Sequence, residues 1–245
     1  MSEAERTPPS GPEPRPFPDG WDVLFIAGLT LPALLAASLA VLALALAVPA
    51  WRAMRAAQVL AMQFLFWGIW FLALHGLIRF RHGGRFRPAL GWIPPAGGYA
   101  NPAGLGALTA GAVIVAALLL RPPRMPMPLL ELLKDPLSLV LVGLFAVTFG
   151  PICEELAFRG FLLPWLARLI RPAPAVALTG ALFAALHGPE YAWSWRHVLL
   201  IGGAGAAFGA VRWRTGSTAA AALMHAVYNL VFLAALLAQT GGRVP

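Results

Sequence analysis

The chain is 245 residues long, 59% hydrophobic and only 11% charged, and it has a positive mean hydropathy, so it carries more apolar surface than a soluble core of this size buries. Its net charge of +8 does not mark a nucleic-acid binder, because the arginines stand at the ends of apolar runs, where they anchor helices to headgroups. A single cysteine, Cys153, excludes an intramolecular disulfide and a multi-cysteine metal site.

The fold class predicted is all-α, a polytopic integral membrane helix bundle. Residues 1–20 are proline-rich with mixed charge and read as a disordered tail. They lack the basic start and apolar core of a signal peptide, so the first span is expected to remain as an uncleaved anchor. Seven apolar runs follow, near 22–48, 57–78, 104–120, 137–163, 174–188, 197–211 and 217–238. Each approaches the length needed to cross a hydrocarbon core of about 30 Å.

The first run is Leu/Ala-rich and featureless. The second carries Trp67, Trp70 and His75, with His75 read as interfacial. A basic, then Pro/Gly-rich loop over 79–103 divides the N-terminal spans (21–103) from a helix bundle over 104–238, and 239–245 is a short tail. The fourth run would measure about 40 Å as a straight helix. Pro151 lies inside it and predicts a kinked fourth span, broken just ahead of Glu154, with the acidic pair opening a second helical segment. Gly205 and Gly209 make a small-xxx-small pattern in the sixth run, suited to close helix approach. Tyr191, Trp193, Trp195 and His197 read as an interfacial belt. With seven spans, the N-terminal tail shares its side with ten arginines, against six arginines and one lysine opposite, which predicts a cytoplasmic N-terminus.

Chemistry concentrates in the second half. Glu154, Glu155 and Arg159 are the only charges between Leu137 and Leu163, and an ionisable residue inside a span is costly enough to be a functional-site candidate. Pairs spaced i to i+4 recur: Glu155 with Arg159, Glu154 with Phe158, Phe183 with His187, His225 with Asn229. If the chain turns at a surface near Arg168 to Arg171, Glu154 and His187 both lie roughly 21 to 24 Å in, and His225 about 16 Å. A kink or tilt absorbs the difference, so the three can converge on one intramembrane cavity. There Glu154 could take a proton from water held by His187, while His225 and Asn229 donate to a tetrahedral oxyanion. Together these groups describe amide hydrolysis by activated water.

Glu154-Glu155-Leu-Ala-Phe-Arg159-Gly160, Phe183-Ala-Ala-Leu-His187 and His225-Ala-Val-Tyr-Asn229 resemble the EExxxR, FxxxH and HxxxN motifs of the CPBP family, which includes the type II CAAX prenyl endopeptidases and the bacteriocin-processing and self-immunity proteins. The resemblance covers residues 137–238. It implies a glutamate-dependent intramembrane endopeptidase that acts on a membrane-associated or lipidated peptide or protein without a cofactor or metal. Glu154 would be the general base, His187 its water-binding partner, and His225 with Asn229 the oxyanion site. Glu155 and Arg159 would be a supporting pair and Phe183 a cavity wall. Members commonly carry an eighth span; seven are counted here.

Other readings compete. Glu154, His187 and His225 could supply three ligands to zinc, although no HExxH helix is present. The buried carboxylates and histidines could instead form a proton relay, or the fold could act as an immunity protein or scaffold. A thiol protease built on Cys153 is disfavoured, since a buried cysteine behaves as a small hydrophobe.

Overall fold

The computed structural model describes residues 16–123, 132–133 and 135–239. The predicted tail lies outside the described residues up to residue 15, and 239–245 lies outside them beyond Gln239. Some of the helices open on a side-chain cap. Asp19 accepts from the backbone N–H of Asp22, and the Asp22 carboxylate accepts from that of Asp19, a reciprocal box that opens α1 (Gly20–Ala47). At 28 residues α1 is about 42 Å long, so it must tilt to keep its leucines within the hydrocarbon core. The chain returns through α2 (Arg55–Gly76), which ends in a π-helical turn at Leu77–Arg81.

A short α3 (Phe86–Ala89) and α4 (Ala100–Leu120) follow. Asp135 then caps α5 (Pro136–Val147) by accepting from Ser138 N–H. Ile26 of α1, Trp70, Leu74 and Ile78 of the second hairpin arm, and Leu90 of the loop pack in one cluster with Leu156 and Phe161. The N-terminal pair is thereby fastened to the motif-bearing half of the chain.

Helical structure accounts for every regular element among the described residues, and five helices are long and apolar enough to cross a membrane: Gly20–Ala47, Arg55–Arg81, Ala100–Leu120, Pro136–Ile170 and Thr218–Gln239. The protein is a polytopic helical membrane bundle. Two of the seven runs counted from sequence fall outside that set. The run at 174–188 becomes α8 (Pro172–His187), which at 16 residues reaches only about 24 Å. The run at 197–211 becomes α9 (Trp195–Thr215), which is long enough but is diluted by glycines and by Arg196, Arg212 and Arg214. These two helices pack chiefly on each other. Gly180 makes that possible, since a Cβ there would come within 2.8 Å of the Ala206 nitrogen and the Gly202 oxygen. Gly205 and Gly209 lie along the same crossing, over Gly180 and Val176.

The fourth span departs from the sequence reading in where it breaks. The interruption is at Thr148 (φ −131°, ψ −80°), three residues before Pro151. Pro151 lies in the first turn of α6 (Phe149–Glu155), where its missing N–H has no intrahelical partner to lose. The acidic pair therefore closes α6 instead of opening it. A seven-residue π-helical stretch, Leu156–Leu162, comes next, and α7 (Leu163–Ile170) completes the span. The last helix, α10 (Thr218–Gln239), packs against α4, α5, α6 and α9 and so runs through the middle of this half.

Candidate active site

The π-helical stretch decides how the first motif is presented. Such turns carry an extra residue and occur frequently at functional sites. Here the turn buries Leu156, Phe158, Arg159, Gly160 and Phe161 together. Arg159 is fully buried, with Nη1 donating to Glu155 Oε1 at 2.8 Å and Nη2 to the Gly205 carbonyl at 2.5 Å. Its guanidinium carbon also lies 4.9 Å from the Phe183 ring centroid and 5.6 Å from those of Phe158 and Phe208. Three aromatic faces and two acceptors thus replace the water this cation gives up.

Glu155, equally buried, is shared. Oε1 accepts from Arg159 and also faces His225 Nδ1 at 3.0 Å, while Oε2 has no partner. A carboxylate only accepts, so Nδ1 of His225 carries the hydrogen and Nε2 points away from Glu155. That Nε2 lies 3.8 Å from Glu154 Oε2, an ion-pair separation beyond hydrogen-bond length. Glu154 keeps 29% of its side-chain surface exposed, against none for Glu155. Of the two carboxylates, Glu154 is the accessible one.

His187 closes α8. Its Nδ1 lies 2.8 Å from the Phe183 carbonyl, an acceptor only, so the hydrogen is on Nδ1 and Nε2 is left with a lone pair. Glu154 is within electrostatic reach of both His187 and His225, although no hydrogen bond joins it to His187. Phe183 stands between the elements, its ring 4.5 Å from His187, 5.7 Å from His225 and 5.4 Å from Phe158 by centroid. Asn229, one turn beyond His225, donates from Nδ2 to the Ala146 carbonyl at 2.8 Å. That carbonyl belongs to the turn that the break at Thr148 leaves without helical partners. One of the two carboxamide hydrogens remains free of this bond.

The structure therefore gathers Glu154, Glu155, Arg159, Phe183, His187 and His225. Asn229 stands beside them with one hydrogen committed elsewhere. Sequence reasoning missed the link from Glu155 to His225, the Gly205 carbonyl under Arg159, and Phe208, which stacks on His225 at 4.6 Å. Phe208 lies in the stretch Gly205-Ala-Ala-Phe-Gly209, where an aromatic between small residues was the available signal. Cys153 is buried inside the bundle, and His75 packs on Phe86, away from the motifs. Among the described residues no three His, Cys, Asp or Glu side chains are grouped to hold a metal ion.

Residues 136–231 match the family model described as type II CAAX prenyl endopeptidase Rce1-like. Over these residues the chain is similar to that family. The matched segment opens at the first residue of α5 and closes two residues after Asn229, so it encloses every motif residue above. No curated protein and no solved structure matches the chain significantly. The Rce1-like segment indicates a CAAX-type prenyl endopeptidase, a hydrolase, and with the spanning helices it places a peptide or protein substrate at a membrane.

Proposed function

We propose that the Rce1-like segment hydrolyses a peptide bond of a membrane-associated or lipidated substrate with water activated by Glu154. The supporting observation is the unequal treatment of the two carboxylates: Glu155 is consumed by Arg159 and His225, and Glu154 is accessible beside two imidazoles. A water resting against Nε2 of His187 gives a proton to Glu154 as its oxygen attacks the scissile carbonyl carbon. The negative charge that develops on the carbonyl oxygen is met by Nε2–H of His225 and by the free N–H of Asn229. Glu154 then returns the proton to the leaving nitrogen, and the C–N bond breaks to give a carboxylic acid, which keeps the second water proton, and an amine. His225 donates from Nε2 only as the imidazolium. In that form the charges of Glu154, Glu155, Arg159 and His225 sum to zero. No covalent enzyme intermediate is formed.

Glu155 and Arg159 act through His225, and Phe183 walls the site. The excess of arginine on the side shared by the N-terminal tail supports a cytoplasmic N-terminus, and the loop over 79–103 supports a division between the N-terminal spans and the catalytic bundle. The deciding experiment is Glu154→Gln in purified enzyme reconstituted with a prenylated C-terminal peptide. Removing a general base costs about 10²–10⁴-fold, so turnover should fall by at least about 10²-fold, with thermal unfolding unchanged. Near-full turnover in the folded variant would remove Glu154 from the chemistry.

A further inference from the structure

The α9–α10 turn is bonded into the loop ahead of α4 at three places. Thr218 N–H donates to the Gly91 carbonyl at 2.8 Å, and Thr218 Oγ1 donates to the Leu90 carbonyl at 2.6 Å while accepting from Arg212 Nε at 2.9 Å. Ser217, which caps α10 by accepting from Ala220 N–H, bonds its hydroxyl to the Ile93 carbonyl. Gly91 adopts φ +63°, a conformation strained for any residue with a side chain, against the Arg212 guanidinium. Leu90 and Thr218 are both fully buried.

The other face of Leu90 meets the π turn. A Cβ on Gly160 would lie 2.9 Å from the Leu90 carbonyl oxygen and 3.2 Å from its Cβ, so the two backbones are in direct contact. Gly160 follows Arg159, which holds Glu155, which holds His225. On α10, Thr218 and His225 are seven residues apart, two turns along one face and about 10 Å in rise. The contacts therefore form a closed circuit, from Thr218 through Leu90, Gly160, Arg159, Glu155 and His225 and back along α10.

We infer that Thr218 and Leu90 are positioning residues that set the height of α10 against the π turn, and thereby the contact between His225 Nδ1 and Glu155. Neither residue touches the reacting atoms. The inference rests on the catalytic role proposed above for His225. The loop over 90–93 lies outside the matched family segment and reaches the π turn from the N-terminal half of the chain.

Thr218→Val deletes the hydroxyl bonds at nearly constant volume, and Thr218→Ser retains them. A catalytic group misplaced by about 1 Å can lose about 10²-fold in rate. In folded, reconstituted enzyme we expect Thr218→Val to lower kcat by about that factor with KM within about twofold, and Thr218→Ser to stay within about threefold of wild type. Misplacing His225 also changes its surroundings, which are Glu155, Glu154 and Arg159 among the charged groups, with His187 and Tyr228 nearby. The pH profile of kcat should therefore move in Thr218→Val, whereas simple loss of folded protein lowers its amplitude without moving it. Gly160→Ala, which presses on Leu90 from the opposite side, should produce the same shift and carries the test if Thr218→Val does not fold. Wild-type kcat and pH profile in folded Thr218→Val, or equal impairment of Thr218→Ser, would overturn the inference even where Glu154→Gln is inactive. An active Glu154→Gln would instead fault the catalytic reading beneath it.

Discussion

Oε1 of Glu155, fully buried, accepts two hydrogen bonds, one from a cation and one from an imidazole. Oε2 of the same carboxylate and Nε of Arg159 are left unpaired. A buried pair in this state contributes little net stability when whole, because desolvation consumes most of the attraction, but losing one partner strands the other. Arg159→Met should therefore destabilise the protein by about 3–5 kcal/mol, read as thermal or denaturant unfolding in detergent; a change under about 1 kcal/mol would mean that His225 alone satisfies Glu155. Lysine is not an adequate replacement. A point ammonium cannot reach Glu155 and the Gly205 carbonyl from one planar group or lie flat against three rings. These motif residues were legible in sequence because charge is expensive in an apolar run. The sharing of Glu155 was not, since i to i+4 spacing pairs it with Arg159 on its own helix and says nothing of a histidine 70 positions away.

At the level of the helices, the crossing of α8 on α9 is controlled by Gly180, whose absent side chain lets two backbones meet. Gly180→Ala must push backbone atoms of Ala206 and Gly202, which have no rotamer to yield. We expect it to cost about 1–3 kcal/mol, the usual penalty of overpacking, and to lower activity because His187 ends α8; an unchanged unfolding midpoint would show that the crossing can slide. The fourth span teaches a related lesson about proline. Pro151 marks a break correctly but late, since proline is tolerated in a first turn and points to an interruption a few residues upstream. Thr148 itself has no breaking chemistry, and the hydropathy of the run is continuous across it. Likewise the run at 174–188 is apolar enough for a span, and only its bounded length, 16 residues between Arg171 and Gly188, sets it apart.

In the molecule as a whole, the N-terminal pair of helices reaches the site through a polar clasp. Arg81 bonds to both Asp19 and Asp22, and His82 Nε2 lies 2.9 Å from Asp22. The Phe17 ring packs on His82 and on Phe161 of the π turn. Arg168 of α7 donates to the carbonyls of Phe17 and Pro18. The hydrogen bond from Arg81 holds the Asp19 carboxyl at about 2, below its ordinary 3.8. A lowered carboxyl stabilises the folded state in full above the unfolded value and loses that contribution as pH falls towards the folded one. The clasp should therefore stay closed at neutral pH and loosen between about pH 4 and pH 2, seen as faster amide exchange over residues 16–22. In Arg81→Met the same loosening should begin at higher pH, and an identical profile in both proteins would separate Asp19 from the clasp.

The π turn at Leu156–Leu162 also acts as a phase step within one continuous span. One added residue delays every later side chain by about 100° relative to a straight α-helix. The strip of α6 that bears the carboxylates and the strip of α7 that packs on α8 thus follow two separate rulers. A residue gained or lost between 156 and 162 would leave both helices intact and rotate one against the other, so the length of this short segment is itself part of the chemistry.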